Sequence, residues 1–467
     1  VSPRVRAAGL SCAGAAHRRL GALPRALACF TLARALHDAA AAGDHLQVPL
    51  GPGQRAEDTY AAARVLIERG RPGDAWALLA NLDGEGSAPA TLAPSVTTLQ
   101  DLERPASGPR RAQREALRTG ALDRMQEIVR QEAPSSRGLE RDDAVTFRAF
   151  PLDDEVVLLR RTATGEIVLA RRTPLPRGRL VAMLGTLEEA MARQEPDDAR
   201  WSTLAEPLAR ALAPDPAGLP AQTSFAMHGL LQRVPLTALP LPSGWLGTTT
   251  AVAWHPAGAP AAVDTDPRPG GAALFVVDPL GDLGLSTSEE TLPAGARLLA
   301  GGSATRDALR QALPGSRWLH VDAHARFEPA FPDLSTVLLA DGPVLGQELT
   351  AWASGLELAN LSGCQTGRAP VTADSGRFGI LGLLARRGIP WVVGARAALP
   401  NAVAIDFNRA FYGALEAGQP VPQAYRHALG EVSRRHPASG WAVLLLLHEG
   451  GGQSGAARTP PSPEGVR

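Results

Sequence analysis

The sequence predicts an α/β fold, a mainly parallel sheet flanked by helices and preceded by a small all-α region. Two observations carry this. From about residue 221 onward, short apolar runs of strand length alternate with helix-length stretches, and the runs are near-continuously apolar, as strands buried on both faces must be. Residues 1 to about 82 instead place apolar side chains at helical spacing.

The elements follow in order. In "LPRALACFTLARALHDAAAAG", Leu27, Phe30, Leu32 and Leu36 recur near helical spacing, and Pro24 suits a first turn. In "AEDTYAAARVLIERGRPGDAWALLANL", Tyr60, Ala63 and Ile67 line one helix, Gly70-Arg71-Pro72-Gly73 makes a turn, and Ala75, Trp76 and Leu79 begin the next. Two short antiparallel helices with small residues at their crossing resemble one degenerate tetratricopeptide repeat, and an ordinary helical bundle fits the same pattern. A Gly/Ser/Pro-rich connector occupies 83–108, and a polar helix is expected over 110–131 with Leu117, Leu122, Met125 and Val129 on its apolar side. Beyond about residue 142 the period changes to that of strands: "AVTFRAF", "EVVLLRR" and "EIVLARR", the last two joined by a hairpin signal at Thr162-Ala163-Thr164-Gly165. Helices near 178–194 and 201–213 follow. Then come the strands "AALFVVD", "RWLHVDA", "STVLLAD", "LELANLS", "PWVVGAR" and "GWAVLLLLHE", with helices near 304–312, 346–353, 376–387, 401–416 and 420–435. The expected division is a helical part over 1–138, an α/β part over 139–450 and a disordered tail over 451–467.

Composition narrows the function. The 467 residues carry 47 basic and 47 acidic side chains, and every basic one is Arg, so neither half offers a general nucleic-acid surface. The cysteines, Cys12, Cys29 and Cys364, are odd in number and sparse, which argues against a disulfide framework and for a reducing, cytoplasmic setting. No run approaches the roughly 20 apolar residues that span a bilayer. The first residues lack the apolar core of a signal peptide, and the start at Val1 is compatible with a fragment or a processed form. No metal-ligand spacing is present, and "GPGQR" lacks both the P-loop Lys and the dinucleotide-binding spacing, so no cofactor is expected.

Against that background a His and a Cys stand out, each where a strand runs out. The run 318–321 ends in Asp322-Ala323-His324, and the run 356–361 ends in Ser362-Gly363-Cys364. In open α/β sheets, groups beyond the carboxyl ends of the strands face the ligand crevice. A base and a soft nucleophile delivered there are the minimum equipment of a cysteine hydrolase. His320 shares the face of His324 in strict alternation, but it lies inside the apolar run and reads as core.

The pieces around this pair resemble, in order, the CHAT domain, a caspase-like cysteine peptidase domain commonly found behind tetratricopeptide repeats. They are "LLQRVPLTALP", "TAVAWHPAG", "FVVDPLGDL", "GGSATRDALRQAL", "WLHVDAHARF", "LANLSGCQTG", "GILGLLARRGIPWVVGA" and "FYGALEAGQPVPQAYRHAL". The resemblance covers about 142–450. It implies a caspase-like sheet, a His324/Cys364 dyad, and an oxyanion hole built from the backbone N–H groups of Cys364 and Ala325. It also implies a protein substrate, with a partner or activating signal received by the N-terminal helices; because a freely active cytosolic protease is dangerous, low basal activity is expected until the loop around 365–377 is ordered. A role in bacterial defence or cell death with a gasdermin-type substrate is implied in the same way. Two positions depart from the family pattern: Ala325 stands where Gly is usual, and Arg396 where Trp is expected. Asp322 or Asp374 would select a basic residue before the scissile bond, and Arg396 an acidic one, while solvated loop charges without a pocket role fit all three equally well. Two other readings stay open, a caspase-like scaffold without turnover and another Cys-dependent chemistry such as an amidase or acyl transferase.

Overall fold

Four helices come first: α1 (Pro3–Arg19), α2 (Leu23–Gly43), α3 (Gly53–Glu68) and α4 (Pro72–Asp83), each packed on the next. They form the expected all-α region. The computed structural model describes residues 3–43, 53–83, 146–162, 164–216, 219–255, 271–283, 292–327, 335–353, 355–362 and 379–448. The expected helix over 110–131, most of the connector before it and the tail over 451–467 lie outside these residues.

Strands β1 (Phe147–Pro151), β2 (Glu155–Arg161) and β3 (Ile167–Pro174) make an antiparallel meander, with the predicted turn at 162–165 closing its second hairpin. Val156 and Leu158 of β2 join the core that includes α5 (Arg177–Arg193) and α6 (Asp198–Leu212). Val157 and Leu159, with Phe150 of β1, pack instead against Tyr60, Trp76 and Leu79 of the N-terminal helices. Successive side chains of a strand point to opposite faces, so covering both faces demands an unbroken apolar run. That is why "EVVLL" does not alternate. Arg148 and Arg161 share the helix-facing side and lie over the Trp76 indole, at 5.0 and 5.4 Å from its ring centroid. Around them Arg64 reaches Asp154 at 2.7 Å, and Arg172 reaches Glu155 at 2.6 Å. The hydrogen bond from Arg64 holds the Asp154 carboxyl below its ordinary range.

Beyond β1 the sheet continues in parallel through β4 (Gln222–Met227) and β7 (Ala251–Trp254). A second parallel block contains β8 (Ala273–Val277), β9 (Arg297–Ala300), β10 (Trp318–Asp322), β14 (Leu358–Leu361) and β15 (Trp391–Ala395). Strand β16 (Leu444–His448) joins the blocks, antiparallel to β15 and parallel to β7. The full order is β3-β2-β1-β4-β7-β16-β15-β14-β10-β8-β9. The sheet is mainly parallel as expected, but its two parallel blocks run in opposite directions.

Smaller elements complete the described fold. A two-stranded ribbon, β5 (Pro240–Leu241) and β6 (Gly244–Trp245), precedes the short α7 (Leu246–Thr249). Helix α8 (Arg306–Ala312) precedes β10. A three-stranded sheet of β11 (Ala325–Arg326), β12 (Thr336–Leu339) and β13 (Gly342–Leu345) leads into α9 (Gly346–Trp352). Then follow α10 (Gly379–Arg386), α11 (Asn401–Glu416), α12 (Val421–Ser433) and the short α13 (Ala438–Trp441).

Asp406 ties α11 to the end of α12: His436 Nε2 lies 2.9 Å from Asp406 Oδ2, with Arg409 and Arg435 nearby. The hydrogen bond to His436 holds the Asp406 carboxyl below its ordinary value, and the two Arg charges add to this. A carboxyl depressed in the native state stabilises fully above its unfolded value, about pH 4, and the contribution is lost as pH falls through the native value. In urea unfolding, wild type should therefore exceed Asp406→Asn in stability near pH 6, and the difference should shrink toward pH 3.

Candidate active site

Strands β10 and β14 are adjacent and parallel, in a register that pairs Trp318 with Leu358 and Val321 with Leu361. The alignment continues past the strands, since Ser362 donates its N–H to the Val321 carbonyl at 2.9 Å. Both chains therefore leave the sheet side by side at one edge. His324 lies two residues beyond β10, with its imidazole 41% exposed and Nε2 3.0 Å from Asp282 Oδ1. Cys364 and Asp374, both singled out from the sequence, fall outside the described residues.

The backbone after His324 has a defined orientation. Leu338 donates its N–H to the His324 carbonyl at 2.8 Å, and Ala325 pairs with Val337 in the antiparallel β11/β12 ladder. Pairs flanked by such a bond exchange none of their own, and their N–H groups point out of the ladder. The Ala325 N–H accordingly faces away from β12. Its direction is set by the ladder and not by the side chain, so Ala in place of Gly leaves it intact.

Beneath the strand ends runs a buried polar network. His320, 2% exposed, lies with Nδ1 3.0 Å from the Tyr412 hydroxyl and Nε2 3.0 Å from Asp322 Oδ2. A carboxylate only accepts, so Nε2 carries the proton, and in that tautomer Nδ1 accepts from Tyr412. Asn360 Nδ2 donates to the Tyr412 oxygen at 3.2 Å and to Asn408 Oδ1 at 3.0 Å, while Asn408 Nδ2 donates to Ser362 Oγ at 3.1 Å. Burial pushes the Tyr412 phenol well above its ordinary value, partly countered by the hydrogen bond from Asn360, so it stays a neutral donor. The network links the end of β10 to the end of β14 through α11. His320 is a core residue, as its place in the apolar run indicates.

Asp322 and Arg396 are employed within the fold. Asp322, with its side chain 16% exposed, is committed to His320. Arg396 turns beneath the chain that follows β4, where its Nη1 donates to the Val234 carbonyl at 2.8 Å and its guanidinium lies 5.0 Å from the Trp254 ring centroid. Its Nε and Nη2 are buried and make no hydrogen bond to the described residues. Burial pulls the guanidinium down to about 10, with Tyr425 and Glu188 acting in the opposite sense. Sequence reasoning did not pick out Asp282, Asn360, Asn408 or Tyr412. Among the described residues no group of three or more His, Cys, Asp or Glu side chains is placed to hold a metal, and no helix is long and apolar enough to cross a membrane.

Comparison with known proteins agrees with this fold. Two crystal structures of the Saccharomyces cerevisiae separase–securin complex share the fold. One has a TM-score of 0.52 at 8% identity, covering 91% of this chain and 37% of that chain. The other has a TM-score of 0.50 at 10% identity, with the same coverages of 91% and 37%. The chain thus spans well under half of those proteins, and at such identity the likeness is one of fold alone. No curated protein matches the chain. A family model described as the CHAT domain matches residues 195–448, more than half of the 467 residues, from α6 to the last described strand, and the chain belongs to that family.

Proposed function

We propose that the chain is a cysteine endopeptidase that cuts a partner protein, with Cys364 as nucleophile and His324 as its base. The observation that carries this reading is the register of β10 and β14, which brings the end of the His324 strand beside Ser362, two residues before Cys364 in sequence. The steps follow from the chemistry. His324 takes the thiol proton, the sulfur bonds to the peptide carbonyl carbon, and the carbonyl π electrons move onto oxygen. The C–N bond then breaks, the amine leaves with the proton from His324, and a thioester remains. Water, deprotonated by His324, releases the carboxylic acid and restores the thiol. The N–H groups of Ala325 and Cys364 are proposed to hold the oxyanion in both tetrahedral stages.

The outward N–H of Ala325 supports this reading over a scaffold without turnover, because the departure from Gly costs no donor. Arg396, the other departure, acts in packing against Trp254 and Val234. With Asp322 and Arg396 held by partners inside the fold, Asp374 is left as the proposed charge that selects a basic residue before the cut. We assign the receipt of an activating protein to the N-terminal helices. They and the sheet domain together line a cavity of about 250 Å³, with Arg18, Arg19, Tyr60, Arg64 and Arg177 on its walls. A cytoplasmic setting fits the odd, sparse set of three cysteines.

The test is incubation of the purified chain with candidate partner proteins, a gasdermin-type pore-former among them, for wild type and Cys364→Ala. Discrete cleavage by wild type should disappear in the variant. Cleavage that persists would exclude Cys364 as nucleophile.

A further inference from the structure

The loop after β8 does more than connect. It begins at Asp278, whose N–H is donated to the Asp322 carbonyl at 2.8 Å, joining the loop to the end of the His324 strand. Asp278-Pro279-Leu280-Gly281 then forms a tight turn, closed by the Gly281 N–H on the Asp278 carbonyl at 3.1 Å. Pro second and Gly fourth are the residues such a turn favours. Asp278 itself adopts φ +44°, a left-handed conformation uncommon outside glycine and best tolerated by Asn and Asp. Its carboxylate folds back so that Oδ1 accepts the N–H groups of Asp282 at 3.0 Å and Leu283 at 3.1 Å. From the other side Asn401, at the start of α11, donates Nδ2 to the Leu283 carbonyl at 2.9 Å. Asp282 is thus held between two anchors, and it is from this point that Oδ1 reaches His324 Nε2 at 3.0 Å.

We propose that Asp282 is the positioning residue of the base, a role that rests on the peptidase reading above. A carboxylate accepts and never donates, so the contact fixes the proton on Nε2 and leaves Nδ1 as the nitrogen that takes the thiol proton. It also holds the ring against rotation on an exposed loop, where an imidazole free to turn would spend much of its time misdirected. Asp278 in turn holds Asp282 through the backbone.

The test reads the thiol directly and needs no substrate. The full chain is treated with iodoacetamide, and alkylation is followed at Cys364 by peptide mass spectrometry, because Cys12 is exposed and reacts as well. His324→Ala should slow alkylation of Cys364 about tenfold or more, Asp282→Ala roughly tenfold, and Asp282→Asn no more than about threefold, since its amide oxygen still accepts Nε2–H. The melting temperature of both Asp282 variants should match wild type within about 2 °C, as expected for an exposed pair. If His324→Ala slows the reaction while Asp282→Ala stays within about twofold of wild type, the positioning role is overturned and the dyad stands. If His324→Ala itself has no effect, both fall. A rate in Asp282→Asn as low as in Asp282→Ala would overturn the hydrogen-bond account.

Discussion

His324→Ala is expected to lower cleavage of a partner protein by roughly 10³-fold or more while leaving the folded state as stable as wild type. The two halves of this expectation come from different atoms. The imidazole is 41% exposed and contacts Asp282 alone among its described side-chain partners, so its removal exposes no apolar core. The carbonyl that accepts from Leu338 belongs to the backbone and survives in Ala. His320→Ala supplies the contrast. That change leaves the buried Tyr412 hydroxyl and the Asp322 carboxylate short of a partner, at about 1–3 kcal/mol for each group left unsatisfied. Initial cleavage rates paired with thermal melts separate the cases: His324→Ala loses activity at constant stability, whereas His320→Ala loses stability first.

The second large effect is expected at Trp76. It is 1% exposed and sits between the N-terminal helices and β1 and β2, with the guanidinium groups of Arg148 and Arg161 over it. Trp76→Ala should cost about 3–5 kcal/mol from lost packing and the cavity left behind. It also removes the aromatic face that compensates two largely desolvated cations. Trp76→Phe keeps a ring in place and should recover much of the loss. Urea unfolding gives the magnitude, and limited proteolysis shows whether the α4 side of the interface opens first.

Burial on two faces made the central strands easy to read. Runs such as 318–321 and 356–361 are apolar because helices or neighbouring segments cover both sides, and the same rule marked His320 as core. Polar or exposed strands escaped. In β4 the first residues, Gln222, Thr223 and Ser224, are polar, and buried Thr223 is satisfied by Thr250 Oγ1 at 3.0 Å, a contact that no local pattern announces. Arg297 and Leu298 of edge strand β9 are exposed, so no apolar run advertises it. The direction of β16 was equally hidden, since periodicity records which residues are buried and not which way a strand points. At the site, the two strand ends were legible, but Asp282 was visible only as part of an Asp-Pro-Leu-Gly-Asp sequence. Its partner lies 42 positions away, and the turn that aims it depends on the carboxylate of Asp278.

The place of β16 in the sheet bears on how the molecule is made. This strand, from residues 444–448, is the last described element of the chain, yet it lies between β7 and β15 in the interior of the sheet. During synthesis the two half-sheets must wait with open edges at β7 and β15, each offering unpaired N–H and C=O groups, until that segment leaves the ribosome. Both edges are closed by the same strand, so the half that carries His324 is sealed only once residues 444–448 have been made. On the proposed peptidase reading, a nascent chain would hold the end of its His324 strand on an unfinished sheet, a built-in delay between translation and the first chance to cut.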